Sequence, residues 1–391
     1  MRAAGLHERS DASGNAKIPF SICAPKFRFR QIMGKVSPAR INASDIRVSG
    51  GYCPEMFNLH SFARRQKPDL AIDLGTANMR MVIPGEGCVF DEPSLCYFQD
   101  TDGRSQFMAA GKAVLAMVDR TPKTFSVRRP LARGVLQDIE ATSALLAHGL
   151  ASISGRTSRS RPCALIGLPA DATKAEANAL LAAADDAGLG RIELIREPFA
   201  AAIGAGLPVG EARASMIVEC GAGTTEIAVF SVDGQCKTRS VRLGGQSLDE
   251  ALLEYLQTKH HFLIGRLTAE NLKRELSART SKSSPTEDVV EVKGRDLRTG
   301  LPGMLTLQAT TFDPVFEKHF GRFAEATRVV HGELSPDLAA DLFDERIIAT
   351  GGGICANFLA DAIERECGVS VTVAEDASGC VARGLQRLME N

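Results

Sequence analysis

Two stretches of this 391-residue chain share one layout, and that repeat constrains the fold more than any other feature. Each is an apolar run that ends in a carboxylate, passes through a glycine turn with a threonine, and enters a second strand-like run: LAIDLGTAN at 70–78 and MIVECGAGTT at 216–225. Glycine turns let backbone N–H groups bind anions, and a neighbouring carboxylate suits hydrated Mg²⁺. Two such hairpins predict two related halves that close on one nucleotide.

Composition excludes several other classes of protein. The net charge of −1 and the isoelectric point near 6.7 give no general attraction to nucleic acid, and no nucleic-acid partner is expected. The ten cysteines contain no CxxC pair and no zinc-ligand spacing, which is typical of reduced thiols in a cytosolic protein. No apolar run approaches the roughly 18 residues of a membrane-spanning helix.

The first 68 residues differ from the rest of the chain. They are basic, rich in Ser, Gly and Asn, and without a hydrophobic period, so we predict a disordered leader. Within it, residues 56–65 (MFNLHSFARR) place four apolar side chains on one helical face before two arginines. This segment is a candidate membrane-surface anchor, and a flexible leader is the alternative. We also expect translation to start at Met56, or processing near it.

After residue 68, strand and helix patterns alternate, which is typical of an α/β protein. Capping boxes predict helices that begin after Thr173 and after Ser247, and Glu197-Pro198 predicts a third helix start. A closing helix is expected from about Ser378. The predicted strands are 69–73, 89–98, 164–168, 192–195, 216–219, 227–232, 347–350 and 369–373.

Two further glycine groups follow strand patterns. Gly351-Gly352-Gly353 could let the backbone pack against adenosine, and Gly244-Gly245 precedes a capped helix. Each group alone also fits an ordinary tight turn, and the first hairpin alone fits a simple strand connection. Glu197 could position a water for phosphoryl transfer, although a carboxylate at a helix N-terminus also satisfies the helix dipole. No Walker A motif or metal-ligand histidine cluster is present.

Taken together, seven segments resemble the MreB proteins, the bacterial actin-like ATPases of rod-shape determination. The most specific are EPFAAAIGAGLP at 197–208 and GRDLRTGLP at 294–302. The resemblance runs in order from about residue 69 to the C-terminus, through 69–78, 129–135, 197–208, 219–229, 241–250, 293–302 and 347–353. Heat-shock chaperone ATPases and sugar kinases share the actin-like core, but the two specific segments favour MreB.

The resemblance implies an α/β, actin-like two-lobed ATPase fold, in which each lobe is a mixed β-sheet with flanking helices and a smaller inserted subdomain. The first lobe would cover 69–203, with its small subdomain at about 94–134, and be completed by about 372–391. The second would cover 204–371, with its small subdomain at about 241–300. The resemblance also implies ATP with Mg²⁺, and antiparallel double filaments of the protein itself. These filaments would lie in the cytoplasm at the inner face of the membrane and guide the membrane proteins of peptidoglycan elongation.

Site residues follow from the resemblance position by position. Glu197 would be the hydrolytic glutamate, helped by Thr224, and Asp73 and Glu219 would lie at the metal. The residues expected to bind the nucleotide are Asp73, Gly75, Thr76, Asn78, Gly221, Gly223, Thr224, Thr225, Gly244, Gly245, Glu275, Gly351, Gly352 and Gly353.

The chain departs from the family pattern in its second hairpin, where DIGGGTTE reads ECGAGTTE at 219–226. Glu219 is one methylene longer than the usual Asp beside Mg²⁺, an ion that demands near-ideal geometry. Ala222 replaces a glycine, which would cost on the order of 1 kcal/mol at a positive φ. The other departures are Met79, Arg196 and Gln246. They lead to an alternative: a divergent nucleotide-binding scaffold with little or no ATPase activity.

Overall fold

A computed structural model describes residues 67–101, 103–278, 289–353 and 356–390. The predicted disordered leader, apart from residues 67 and 68, lies outside the described residues, as does the candidate anchor at 56–65. No described helix has the length and apolar character needed to cross a membrane.

The described chain alternates strands and helices, as the sequence predicts. The strands are β1 (Leu70–Leu74), β2 (Asn78–Ile83), β3 (Gly87–Pro93), β4 (Cys96–Thr101), β5 (Arg104–Ala110), β6 (Phe125–Arg128), β7 (Leu131–Ala132), β8 (Val135–Leu136), β9 (Ala164–Leu168), β10 (Ile192–Arg196), β11 (Ser215–Cys220), β12 (Thr225–Ser231), β13 (Gly234–Val241), β14 (Phe262–Leu263), β15 (Val289–Asp296), β16 (Pro302–Gln308), β17 (Ile347–Thr350) and β18 (Val371–Val373). The α-helices are α1 (Ile139–Ser152), α2 (Lys174–Asp186), α3 (Glu197–Ala205), α4 (Gly245–His260), α5 (Arg266–Ala278), α6 (Asp313–Gly332), α7 (Pro336–Asp344), α8 (Ala356–Cys367) and α9 (Cys380–Glu390).

Two five-stranded sheets have the same arrangement around their central strands. The first has the order β10-β9-β1-β2-β3 and the second the order β13-β12-β11-β17-β18. In each sheet the carboxylate-bearing strand pairs antiparallel with the strand after the glycine turn and parallel with a strand from farther along the chain: β1 with β2 and β9, and β11 with β12 and β17. The two related halves predicted from the repeat are therefore confirmed.

A shared layer formed by α3 and α9 joins the two sheets. Ala71 and Val82 of the first sheet and Ile217 and Phe230 of the second sheet belong to one buried cluster with these helices. The opposite face of the first sheet is covered by α1 and α2, and that of the second by α4, α5, α6 and α8. Because strand side chains alternate, Asp73 shares the face of Ala71, which places its carboxylate on the side where the halves meet.

Two predicted helix starts are confirmed. Thr173 is the N-cap of α2, with the reciprocal Glu176 hydrogen bonds of a capping box. Helix α3 begins at Glu197 with Pro198 in its first turn, where the missing proline N–H has no intrahelical role. Helix α9 begins at Cys380, two residues later than the predicted Ser378. These starts fix the positions from which the helices meet the sheets.

Two local predictions are wrong. Helix α4 begins at Gly245, not after Ser247, because the Ser247 hydroxyl instead bonds back to the backbone of Gly244. The predicted strand 89–98 is split between β3 and β4. At the break, buried Ser94 donates from its N–H to Ala77 O and from Oγ to Gly75 O, both at 2.7 Å. The chain leaves the sheet there to brace the first glycine turn.

Candidate functional site

The two glycine turns close with the same hydrogen bond. In the first loop, residues 75–77, the Gly75 N–H donates to Asn78 O over 3.0 Å. In the second loop, residues 221–224, the Gly221 N–H donates to Thr224 O over 2.8 Å. The repeat seen in the sequence is thus a repeat of backbone structure at the ends of two sheets.

The two loops lie against each other through the turn between β7 and β8. The Gly134 N–H donates to Thr76 Oγ1 over 3.2 Å. A Cβ atom added at Gly134 would lie 2.4 Å from Thr224 Cγ2, and one added at Gly223 would lie 2.5 Å from Thr76 Oγ1. Both added atoms would clash, so only glycine allows this approach. Loop residues separated by more than 140 positions in the sequence therefore converge on one place.

Two predicted side-chain contacts have protein partners in the structure. Asn78 Nδ2 donates to Asp91 Oδ1 over 2.8 Å. Thr225 is fully buried, and its hydroxyl donates to Leu243 O over 3.0 Å. These side chains support the loops from outside, and their contact with a nucleotide stays a prediction.

In the first half, the carboxylate at the end of β1 faces a cation. Asp73 and Arg80 are directly opposite each other on β1 and β2, and Arg80 Nη1 lies 3.3 Å from Asp73 Oδ2. Asp73 is buried, and burial raises its pKa, although the Arg80 guanidinium opposes that rise. The structure thus adds Arg80 to the residues around the predicted metal carboxylate.

In the second half, the equivalent carboxylate faces another carboxylate. Glu219 lies directly opposite Glu226 on β11 and β12, and both side chains are buried. Burial, with the charges of Glu226 and Asp73, raises the pKa of Glu219 well above its usual range. Burial also raises the pKa of Glu226 to about 7, although hydrogen bonds from Ser240 Oγ and Ala170 N, each 2.7 Å long, counteract it.

Glu197 faces the same acidic group from the start of α3. Its Cγ lies 3.3 Å from the position that a Cβ at Gly167 would occupy, so the side chain lies along β9. Loss of hydration raises the pKa of Glu197 well above its usual range, and the charges of Glu226, Asp73 and Glu219 add to this effect. A raised pKa makes the Glu197 carboxylate a stronger proton acceptor once it is ionised, which is the property that a general base needs.

These oxygen donors fit Mg²⁺ better than a softer metal. Asp73, Glu219 and Glu226 supply buried carboxylate oxygens, and Glu226 Oε2 has no hydrogen-bond partner. In the described part of the chain, no group of three or more His, Cys, Asp or Glu side chains is arranged to ligate a metal directly. Mg²⁺ commonly keeps several waters and binds protein through few carboxylates, so this donor set fits a hydrated ion.

The other glycine groups pack behind the second loop. The Gly245 N–H donates to Gly221 O over 3.0 Å, and the Gly353 N–H donates to Cys220 O over 2.8 Å. A Cβ at Gly353 would lie 2.2 Å from Gly221 O, and one at Gly244 would lie 2.5 Å from the same atom. Gly351 packs there too, because a Cβ at this residue would lie 2.2 Å from Cys220 O, and it adopts a positive φ of 99°. Gly352, in contrast, is exposed.

Two departures from the family pattern, Ala222 and Arg196, and two residues of α5 lie in or around the second loop. Ala222 is not among the described non-glycine residues with positive φ, so the expected strain does not arise there. Arg196 Nη1 donates to Pro169 O over 2.6 Å. Lys273 on α5 donates to Gly245 O over 2.9 Å, and Glu275, predicted near the adenine, is exposed on the same helix.

Four contributors were not predicted as site residues: Arg80, Ser94, Gly134 and Glu226. Arg80 could have been found from the repeat itself, because it follows Asp73 by the same seven positions that separate Glu226 from Glu219. Ser94 and Gly134 come from distant segments, and the sequence carries no local signal for their contacts with the first loop.

Sequence comparison identifies relatives along nearly all of the described chain. A family model described as MreB/Mbl protein matches residues 67–391. The cell shape-determining protein MreB of Escherichia coli K12 is 38% identical over 327 residues, which cover 82% of this chain and 93% of that protein. The cell shape-determining protein Mbl of Bacillus subtilis is 33% identical over 323 residues, covering 83% and 96%.

Solved structures agree with the sequence comparison. MreB5 of Spiroplasma citri bound to ADP has a TM-score of 0.75 and 26% identity, covering 82% of this chain and 95% of that one, and its complex with AMPPNP matches equally well. The MamK double helical filament has a TM-score of 0.67 at 23% identity, which supports the fold alone. On this evidence the chain belongs to the MreB/Mbl family and has its actin-like two-lobed fold.

Proposed function

We propose that this chain binds ATP with Mg²⁺ between its two lobes and assembles with copies of itself into filaments that help to determine cell shape. One observation carries the proposal: glycine loops from two different sheets meet at contact distance beside a group of acidic side chains. The nucleotide-bound structures of MreB5 and the names of the relatives support it.

In this proposal the backbone N–H groups of the first and second loops bind the phosphate oxygens. Asp73 and Glu219 hold the waters of Mg²⁺, which when bound neutralises phosphate charge. Glu197 accepts a proton from the attacking water, and Thr224 helps to hold that water. The predicted adenosine contacts of Gly351, Gly352, Gly353 and Glu275 belong to the same proposal.

A conservative variant tests hydrolysis. Glu197→Gln removes the proton acceptor but keeps the side-chain volume, so phosphate release should fall by about a hundredfold or more. ATP affinity, measured by calorimetry, should change little. Glu193→Gln, on the preceding strand, serves as the matched control. Unchanged phosphate release from Glu197→Gln would remove this residue from the mechanism.

A non-hydrolysing scaffold is the second candidate, and the Glu219–Glu226 pair favours it. A Glu219 carboxyl that holds its proton attracts Mg²⁺ weakly, so ATP could stabilise the fold and filament without turnover. The double variant Glu219→Asp, Ala222→Gly restores the family residues. Faster single-turnover phosphate release in this variant would support the scaffold, and an unchanged rate would count against it.

Self-association is supported by large apolar side chains that remain exposed. Phe343 at the end of α7 is 80% exposed, and Leu301 and Met304 near the β15–β16 turn are 64% and 55% exposed. Electron microscopy of the full chain should show paired filaments with ATP and Mg²⁺ and none without nucleotide. Phe343→Ser should shorten or abolish them. A folded protein that forms no filaments in either condition would contradict this part of the proposal.

We place the filaments in the cytoplasm at the inner face of the cell membrane, where they would guide membrane proteins of cell-wall elongation. Family membership supports this placement, and residues 56–65 are the proposed contact with lipid. The full chain should sediment with anionic vesicles, whereas Phe62→Glu should reduce the bound fraction because it puts a charge on the apolar face. Equal binding by both proteins would contradict the anchor.

A further inference from the structure

Arg80 is held rigidly on the side of the first sheet that faces the second half. Its Nη1 donates to Asp73 Oδ2 over 3.3 Å and to Ser378 O over 2.8 Å, and its Nε donates to Asp91 Oδ2 over 3.2 Å. The side chain is 19% exposed. Three partners from three segments therefore fix the direction of the guanidinium.

That direction places the cation between two predicted parts of the nucleotide site. Asp73 lies two residues before the start of the first loop. Ser378 borders the glycine turn, since its Cβ lies 3.6 Å from the position of a Cβ at Gly352, and the Gly351 N–H donates to Ala377 O over 2.8 Å. Arg80 thus contacts a residue beside the first loop, which is Asp73, and a residue beside the glycine turn at 351–353, which is Ser378.

The Arg80 guanidinium also has N–H groups that are not used in its contacts with described residues. A guanidinium has five N–H groups in a planar fork, and it stays charged at all physiological pH values. The contacts of Arg80 with described residues use Nη1 and Nε, and Nη2 donates to none of these residues. An oxyanion beside Asp73 would find both a fixed positive charge and unused N–H groups.

The positive charge of Arg80 lies near several acidic side chains, where it offsets negative charge. Asp73, Glu197, Glu219 and Glu226 converge here, and a triphosphate adds more negative charge to the same space. In the second half, the position equivalent to Arg80 is Glu226, which adds negative charge to the space. Among the side chains of the two matched hairpins that face this space, Arg80 supplies the positive charge.

We propose that Arg80 contacts the phosphates of the bound nucleotide and supplies part of the charge neutralisation that otherwise comes from Mg²⁺, so that this chain retains ATP when Mg²⁺ is removed. The proposal rests on the nucleotide site proposed above. It assigns Arg80 to phosphate binding and to the metal dependence of that binding, and it requires no hydrolysis.

The test is calorimetric titration of the full chain with ATP, in Mg²⁺ and in excess EDTA. Charge-assisted hydrogen bonds are worth about 10- to 100-fold in affinity. We expect EDTA to weaken wild-type binding by less than about tenfold, and Arg80→Met binding by about a hundredfold. Arg80→Lys should lie between them. Arg156→Met removes an arginine from an exposed ion pair with Glu86 and should behave as the wild type.

The outcomes separate the two proposals. If the wild type binds no ATP in either condition, the nucleotide site itself is wrong. If the wild type binds ATP and Arg80→Met shows the same ratio of affinities with and without Mg²⁺, the role of Arg80 is overturned. If Arg80→Met does not fold, as judged by thermal unfolding, Arg80→Gln keeps hydrogen-bonding groups without the charge and must show the same enhanced Mg²⁺ dependence.

Discussion

The β1–β2 and β11–β12 hairpins have one backbone plan and opposite electrostatics. In each hairpin, a buried carboxylate is the penultimate residue of the first strand, and a glycine loop follows. A charged residue of the second strand lies directly opposite that carboxylate. In the first hairpin that residue is Arg80, which pairs with Asp73. In the second it is Glu226, whose charge adds to the effect of burial in raising the pKa of Glu219.

The difference indicates that the two halves depend unequally on outside charge. The first carboxylate has its own counter-ion within the protein. The charge of the Glu219–Glu226 pair is compensated by protonation or by a bound cation, because ionising two neighbouring buried carboxyl groups costs a large free energy. The duplicated fold thus preserves loop geometry, while the charge at each loop is set separately.

The largest expected effect comes from forcing the two hairpins apart. In Gly223→Ala, the added Cβ would meet Thr76 Oγ1 at 2.5 Å and Gly134 N at 2.8 Å. We expect a loss of about 3 kcal/mol in the free energy of unfolding, measured in urea, because overpacking shifts backbone. Gly321→Ala is the control, since its added Cβ meets nothing within 4 Å and lies within α6. Equal stability of the two variants would contradict the contact between the loops.

Replacing the ionisable carboxyl group of Glu226 in the second hairpin should change how the folding stability depends on pH. The folded pKa of Glu226 is about 7, above the ordinary 4.5, so the unfolded state loses this proton first and stability falls as pH rises from about 4.5 to 7. Glu226→Gln should reduce this loss in the free energy of unfolding by about 2 kcal/mol, as measured by urea unfolding across this pH range. The exposed carboxylate Glu254, changed to Gln, is the control. An unchanged slope would show that the carboxylate pair carries no such cost.

A buried histidine behind the second loop, His319, should make the folding stability depend on pH in the opposite direction. Burial lowers the pKa of His319 from 6.5 to about 4, and the charges of Arg322 and Lys273 contribute. The unfolded state therefore binds this proton first, and stability falls as pH decreases from about 6.5 to 4. His319→Gln should remove about 1–2 kcal/mol of the loss between pH 7 and pH 5. His261→Asn, at an exposed site, should leave that loss intact; the same result for His319→Gln would refute the assignment.

The smallest effect is expected at the departure in the second loop. Because Ala222 does not adopt a positive φ, Ala222→Gly relieves no strain and only adds freedom to the unfolded chain. Stability should decrease by no more than about 0.5–1 kcal/mol, and ATP affinity should hardly change. A clear gain in either quantity would mean that the methyl group obstructs the loop.

Much of the fold could be predicted because it depends on short-range patterns. The glycine hairpins, the capped start of α2 and the proline-led start of α3 are each specified by a few adjacent residues. The prediction of one strand over 89–98 failed because Ser94 leaves the sheet to bond the first loop, and that contact involves a segment 19 residues away. The start of α4 was misplaced because Ser and Gly can cap a helix from different positions.

The sequence by itself determined the family, the repeated halves and the candidate loops, since glycine, threonine and carboxylate spacing is a local property of the chain. Only the tertiary structure decided which charges face one another. Asp73 meets Arg80, and Glu219 meets Glu226, through strand register. Glu197 reaches the same acidic group because α3 packs between the sheets. Coulomb interactions depend on distance and on burial, so which charges interact, and how strongly, is decided only when distant segments fold together.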